Sequence, residues 1–465
     1  LLEKFFKMKQ RDSNVQTEMA AGLTIFMAMA YVLAVQPSAI IGFGMEQNFT
    51  DINGVIVSKA ALLFMTALIS GIVTLIMGLY ANLPFALSTG MGTNFMLGAL
   101  LQSGSLSFGN IMVIVLIGGS IFVLLTVLGI RNFIVKDIPK NIKVSISVAI
   151  GFFITYLGFS NSGIGNFEEG IGLGNFSDPN VFLAIVGLIL IALLTLYKVP
   201  GALLIGIIVV TILGIPFGIT PVPDQLFGIP DVNEIRNITF SFDFNGLLNG
   251  STIVLIFIAF FGDFFSTLGT VLGVSQKANL LDDNGNLPGI ARPFLVDALG
   301  TVAGAIAGCT TISTFVESSA GAQAGGKTGL TSVSTAIMFF ISILVSPLFL
   351  MIPDAATSSV LIFVGYSMIS SITNIDFTNF SEAFGPFVMI VFTAFTGGIA
   401  SGISAGILAD VVIKTFARTE KAEKAEKAEK AEKAEKAEKA EKAEKAVHPI
   451  MYALCIPLMI YFIFN

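Results

Sequence analysis

The stretch Thr311-Ile312-Ser313-Thr314-Phe315-Val316-Glu317-Ser318-Ser319-Ala320-Gly321-Ala322-Gln323-Ala324 lies between apolar runs, yet it carries a carboxylate, a row of hydroxyls and a glycine. A helix needs about 20 residues to cross the hydrocarbon core, so this stretch reads as a broken half-span. Residues 85–101, interrupted by Ser88, Thr89, Gly90, Gly92 and Asn94, form a second one. Working outward, apolar runs occupy 20–41, 60–80, 111–128, 144–159, 181–197 and 202–219 in one half of the chain. The other half has 252–274, 294–307, 331–351, 360–372, 387–395 and 399–416. Each broken stretch is then third of seven in its half. Interrupted segments in corresponding positions of two halves point to an inverted-repeat transporter with its site near the midplane. An odd number per half inverts the second half, so two half-helix N-termini, each worth about half a positive charge, face a common ligand. The expected fold class is an all-α polytopic membrane protein, a 7+7 inverted repeat of 14 transmembrane spans with two broken half-helices.

Composition agrees. The 465 residues are 54% hydrophobic and 12% charged, with mean hydropathy +0.86, a balance foreign to water-soluble domains. Nine Glu-Lys-Ala triplets, Glu420 to Ala446, supply nine each of the 25 basic and 31 acidic residues, so the rest is poorer in charge still. The triplets set lysine four residues after glutamate and have no apolar stripe, which reads as a solvated helical spacer. Cys309 and Cys455, both in apolar runs, argue against a disulfide framework, and the single histidine, His448, excludes sites needing two imidazoles. No metal or cofactor is expected. Basic residues scattered singly at net charge −6 exclude a nucleic-acid partner. Residues 1–14 are charged and lack a signal-peptide pattern, and Leu1 in place of methionine points to a processed or truncated start.

The positive-inside rule tests the span count. Lys4, Lys7, Lys9 and Arg11, then Arg131, Lys136, Lys140 and Lys143, then Lys198, Lys277, Arg292, Lys414 and Arg418 all fall on one side. That side is read as cytoplasmic, which places the N-terminus there; the expected location is the plasma membrane. Glu168, Glu169, Asp178, Asp224, Asp231, Glu234 and Asp243 lie opposite, with Lys59 and Arg236 as exceptions. Residues 449–464 form either a fifteenth crossing or an interfacial helix.

Charge near the bilayer centre costs at least about 2.5–3.5 kcal/mol, which makes intramembrane acids informative. Glu317 sits among hydroxyls, and Asp263 lies in Phe261-Gly262-Asp263-Phe264-Phe265-Ser266-Thr267-Leu268-Gly269-Thr270. Asp297 and Asp410, nearer span ends, read as structural. In the other broken stretch, Ala86 to Asn94 supplies neutral hydrogen-bonding groups and backbone freedom. Carboxylates and hydroxyls without an arginine repel an anion and suit a planar heterocycle with N–H donors, with Phe26, Tyr31, Phe261 and Phe315 as stacking candidates. Gly321-Ala322-Gln323-Ala324-Gly325-Gly326-Lys327-Thr328 matches the phosphate-loop pattern G-x-x-x-x-G-K-[ST]. It lacks the preceding buried strand and the soluble parallel sheet, so a glycine-permitted turn is expected and a membrane ATPase is the remote alternative.

Four groups of residues carry a family resemblance: Thr17-Glu18 with Ala21-Gly22-Leu23-Thr24, Met29-Ala30-Tyr31 and Pro37-Ser38; Pro84-Phe85-Ala86-Leu87 through Gly90-Met91-Gly92 and Asn94; Glu317-Ser318 with Ala320-Gly321 and Gly325-Gly326-Lys327-Thr328-Gly329-Leu330-Thr331; and His448-Pro449 with Met451-Tyr452. Over nearly the whole chain they resemble the AzgA-like hypoxanthine and guanine permeases of the nucleobase-cation symporter 2 family. The chain departs from that family's usual aspartate at Ser266, with Asp263 about one turn earlier, from its arginine at Lys327 and from its asparagine at Gln36. The resemblance implies a core domain (17–130, spans 1–4; 250–352, spans 8–11) and a gate domain (140–220, spans 5–7; 356–418, spans 12–14). The spacer 420–446 and a C-terminal hydrophobic segment, 447–465, follow. It implies a symporter and not an enzyme, importing hypoxanthine, guanine or adenine with protons by an elevator-type movement of the core. A pyrimidine base or small anion on the same fold is the alternative. The expected substrate-binding residues are Glu317, Asp263, Ser266, Thr267, Thr270, Ser318, Thr89, Gly92 and Asn94, with Glu317 or Asp263 coupling the proton. The expected partners are the base, protons, the lipid bilayer and a second copy forming a homodimer.

Overall fold

The computed structural model describes residues 2–44, 46–129, 140–167, 172–247, 250–282, 287–396 and 399–429, with Tyr452, Cys455 and Met459. Arg131, Lys136, Glu168, Glu169, His448, the repeat from Lys430 onward and nearly all of 449–464 lie outside the described residues. The chain is mostly helical. Its principal helices are α1 (Val15–Met29), α2 (Val32–Ile41), α3 (Lys59–Ile76), α4 (Met91–Gln102), α5 (Phe108–Val127), α6 (Lys140–Ser162), α7 (Pro179–Leu196), α8 (Ala202–Gly214), α9 (Gly250–Lys277), α10 (Ala291–Ala307), α11 (Ser318–Gln323), α12 (Gly329–Leu344), α13 (Asp354–Ile369), α14 (Phe380–Thr396) and α15 (Ile399–Glu429). Among the described residues, seven helical stretches are long and apolar enough to cross a membrane: Val15–Ile41, Lys59–Ala81, Phe108–Val127, Val144–Ser162, Pro179–Leu196, Leu255–Lys277 and Asp354–Asn374. Ala202–Gly214, Gly329–Leu344 and Phe380–Thr396 are apolar but shorter.

Local sequence sets many helix starts. The Asn14 side chain accepts from the Thr17 amide, Ser58 caps α3, Ser107 and Asn110 form a reciprocal capping box on α5, and Asp178 caps α7 with Pro179 in its first turn. The first apolar run, expected as one span, lies in the single crossing stretch Val15–Ile41, which is built of two helices. The chain tightens at Ala30–Tyr31, where the amides of Leu33 and Ala34 bond three residues back, and Pro37 removes a donor from α2.

Two compact units divide the chain. The first holds 1–129, 154–247 and 259–364. Within it Phe122, Phe264 and Phe294, from α5, α9 and α10, pack edge to face at 5.3–6.0 Å. At one crossing an alanine Cβ at Gly329 would lie 1.9 Å from the Gly78 carbonyl oxygen, so only glycine admits this approach of backbones. The second unit holds 130–153, 248–258 and 365–465. Val148, Ile375 and Ile390 pack together there, and Lys414 bridges Glu382 (3.1 Å) and Asp410 (3.0 Å). Asp410 is thus an ion-paired acid.

Two hairpins, β1 (Asn48–Thr50) with β2 (Ile56–Ser58) and β4 (Gly165–Asn166) with β5 (Gly172–Leu173), lie in loops. The remaining strands, β3 (Leu87–Thr89) and β6 (Ile312–Thr314), fall inside the two broken stretches and pair with each other.

Candidate functional site

β3 and β6 are antiparallel, with Leu87 opposite Thr314, Ser88 opposite Ser313 and Thr89 opposite Ile312. The Gly90 amide donates to Thr311 O and the Phe315 amide to Ala86 O, both at 3.0 Å, extending the ladder at each end. α4 begins two residues after β3, and α11 four residues after β6. The two half-helices therefore leave the crossing in opposite directions. Backbone groups turned away from the ladder still need partners in an apolar surround. Thr74 Oγ1 accepts from the Leu87 amide (2.9 Å) and donates to Leu87 O (3.1 Å). Thr301 Oγ1 does the same for Ile312 (3.2 and 2.8 Å). Asp297 Oδ2 accepts from the Thr314 amide and hydroxyl, both at 2.7 Å.

Glu317 immediately precedes α11 and is half-buried, its Oε1 accepting from the Tyr31 hydroxyl at 2.9 Å. Tyr31, expected as a stacking surface, instead orients the carboxylate. Ser318 Oγ accepts from the Ala86 amide at 3.0 Å and so ties the two broken stretches together. Asn94, on the first turn of α4 with Gly92, takes a hydrogen bond from the Thr310 hydroxyl at Oδ1, while its Nδ2 and the buried Thr89 Oγ1 have no partner.

The residues expected on α9 divide between two faces. Asp263 and Thr267 turn toward α10, where Asp263 Oδ2 meets Thr301 Oγ1 at 2.8 Å and Thr267 Oγ1 donates to Asp297 Oδ2 at 2.8 Å. Thr270 is buried. Ser266 is exposed, on a stripe with Gly262, Gly269 and Gly273. A Cβ at Gly269 or Gly273 would meet nothing within 4 Å, and one at Gly262 would lie 4.0 Å from Thr93 Oγ1 on α4. This stripe fronts open space. Of the stacking candidates, Phe26 packs edge to face on Phe339, Phe261 does so on Phe260, and Phe315 is buried.

The phosphate-loop string is already occupied by the chain itself. Glu18, fully buried, accepts from the amides of Lys327 (3.0 Å) and Thr328 (3.1 Å) and from the hydroxyls of Thr331 and Ser13 (both 2.5 Å). Arg11 donates to Lys327 O (2.7 Å) and Asn82 O (2.6 Å). Burial pulls the Arg11 guanidinium below its ordinary value, and the charge of Glu18 opposes this. Amides that would cradle a phosphate thus hold an internal carboxylate, as a structural turn requires. In the sequence Glu18 stands out only within a motif, and Asp297 reads as structural. Ser13 apart, the partners of both lie on other segments, and no local spacing reveals them.

Residues 16–405 match the family described as the permease family. The chain is 36% identical to a putative permease of Methanocaldococcus jannaschii, over 89% of this chain and 93% of that one. It is 32% identical to the adenine permease AdeQ of Escherichia coli, over 89% and 90%. It is also 32% identical to the guanine/hypoxanthine permease PbuO of Bacillus subtilis, over 88% and 94%. Among solved structures, the transmembrane domain of the cyanobacterial bicarbonate transporter BicA aligns with a TM-score of 0.61, covering 83% of this chain and 97% of that one at 17% identity. That is a likeness of fold.

Proposed function

The chain belongs to the permease family, as a multi-pass membrane transporter and not an enzyme, and from that premise we propose that it imports a purine nucleobase (hypoxanthine, guanine or adenine) together with protons. The observation that carries the substrate class is the naming of relatives such as the adenine and the guanine/hypoxanthine permeases, matched over about nine-tenths of the chain. The geometry suits it. Glu317, steadied by Tyr31, offers a carboxylate to the N–H edge of a base. Thr89 Oγ1 and Asn94 Nδ2 are unpartnered polar atoms at the strand crossing. The bare stripe around Ser266 leaves room for a flat ring.

In this reading Glu317 binds the base and couples its protonation to binding. The 14 spans form the 7+7 inverted repeat, a proposal supported by the matched use of Thr74 on Leu87 and Thr301 on Ile312. Residues 17–130 and 250–352 make the moving core, and 140–220 and 356–418 the gate. The chain lies in the plasma membrane with its N-terminus cytoplasmic and works as a homodimer. Competition against labelled adenine uptake tests the substrate class. Hypoxanthine and guanine should compete, while uracil and bicarbonate should not. Competition by uracil or bicarbonate with none from the purines would overturn the reading.

A further inference from the structure

Asp263 on α9 and Asp297 on α10 are buried acids on one helix contact, where Asp263 meets Thr301 of α10 and Asp297 meets Thr267 of α9, each acid one turn from the hydroxyl that the other meets. Among the described residues the ion pairs involve only Lys9 and Lys414 as cations, so no basic side chain neutralises either acid. Two bare carboxylates so placed carry a large cost if both are charged. The hydrogen bonds around the two acids differ.

Asp297 Oδ2 receives three donors, from Thr267 Oγ1 and from the amide and hydroxyl of Thr314, at 2.7–2.8 Å. Such convergence is what an ionised carboxylate takes. Around Asp263 the count runs the other way. Thr301 Oγ1 lies 2.8 Å from Asp263 Oδ2 and 2.8 Å from Ile312 O, while accepting the Ile312 amide. One hydroxyl has one proton, and two oxygens compete for it. Thr74 makes the same pair of bonds to Leu87, taking the amide and giving its proton to the carbonyl, with no acid among its partners. By the same use Thr301 gives its proton to Ile312 O and turns only lone pairs toward Asp263. The remaining 2.8 Å contact closes when Asp263 is the donor.

We propose that Asp263 and Asp297 hold one proton between them, Asp263 protonated and Asp297 charged, as a proton-binding site separate from Glu317. Each acid keeps one unpartnered oxygen, Asp263 Oδ1 and Asp297 Oδ1, through which a proton arrives or leaves. Removing the proton sets two acceptor oxygens face to face. Thr301 must then turn its proton to Asp263 and release Ile312 O, loosening the outer edge of β6, the strand that leads into Glu317. The role in coupling rests on the proton-coupled reading above; the position of the proton does not.

Infrared spectroscopy of the full chain at neutral pH, with carboxyl-labelled aspartate, tests the position. We expect a protonated-carboxyl band that moves with the label, disappears in Asp263→Asn and shifts upward in Thr301→Val, where the acid loses its acceptor. A wild type without this band, or a band untouched by both substitutions, overturns the proposal; if Asp263→Asn does not fold, the Thr301→Val shift decides. In proteoliposomes Asp263→Asn, which mimics the protonated acid, should exchange labelled base yet lose accumulation against a gradient. Wild-type accumulation by this variant, or wild-type uptake that follows sodium instead of protons, overturns the coupling role. A wild type that moves no base defeats the transport reading and leaves the infrared result standing.

Discussion

At Glu18 one carboxylate satisfies two amides and two hydroxyls. Glu18→Ala leaves these donors buried without an acceptor, at about 1–3 kcal/mol each for those that find no water. We expect a loss of about 3 kcal/mol or more, read as a lowered midpoint of thermal unfolding in detergent. Lys327→Ala keeps the backbone amides in place and should stay within about 0.5 kcal/mol of wild type. The opposite ranking would mean that the lysine, as in a phosphate site, matters more than the turn. At Glu317, Tyr31→Phe removes one hydrogen bond to a half-buried carboxylate, about 1–1.5 kcal/mol, and should weaken apparent affinity for the base by roughly tenfold. Glu317→Gln should abolish accumulation. Glu317 and Asp263 were legible in the sequence because a charge inside an apolar run stands out. The roles of Tyr31, Asp297 and Glu18 were not, since each is defined by a partner brought up by folding, 309 residues away for Glu18 and Lys327.

Among the elements, the two broken stretches could be read from Ser88, Gly90 and Asn94 and from Glu317 and Gly321 within otherwise apolar sequence. The strands inside them could not. Leu87-Ser88-Thr89 and Ile312-Ser313-Thr314 are too short for alternation to register, and they become strands by pairing with each other. Close helix crossings were equally invisible, because a glycine shows no sign of what approaches it. Gly329→Ala should therefore cost about 1–3 kcal/mol through overpacking against Gly78. Gly269→Ala, with nothing within 4 Å of the added Cβ, should raise stability by about 0.5–1 kcal/mol, as alanine for glycine inside a helix does, and alter uptake if a ring lies on that stripe. Both effects are read from unfolding midpoints beside uptake rates. In the loop before α9, hydrogen bonds from the Asn245 amide and from Asn53, Asn245 and Ser107 hold the Asp243 carboxyl below the usual carboxylate range. Its folded value is lower than its unfolded one, so its contribution is complete above about pH 4 and is lost as pH falls through the folded value. The stability difference between wild type and Asp243→Asn should persist at neutral pH and vanish in acid.

For the molecule as a whole, the proposed carrier combines two half-helices that start at an antiparallel strand crossing, a carboxylate beside it and a proton held at Asp263 next to a charged Asp297. Sequence periodicity sufficed for the helical membrane architecture. The crossing geometry emerged only when segments some 225 residues apart were placed side by side. The central claim is that a purine moves with protons. The most direct test is uptake of labelled hypoxanthine, guanine, adenine and uracil into proteoliposomes with and without an inward proton gradient. At least one purine should accumulate above the external concentration only when the gradient is present, and uracil should not. Accumulation of no base under either condition, or equal accumulation without the gradient, would contradict it.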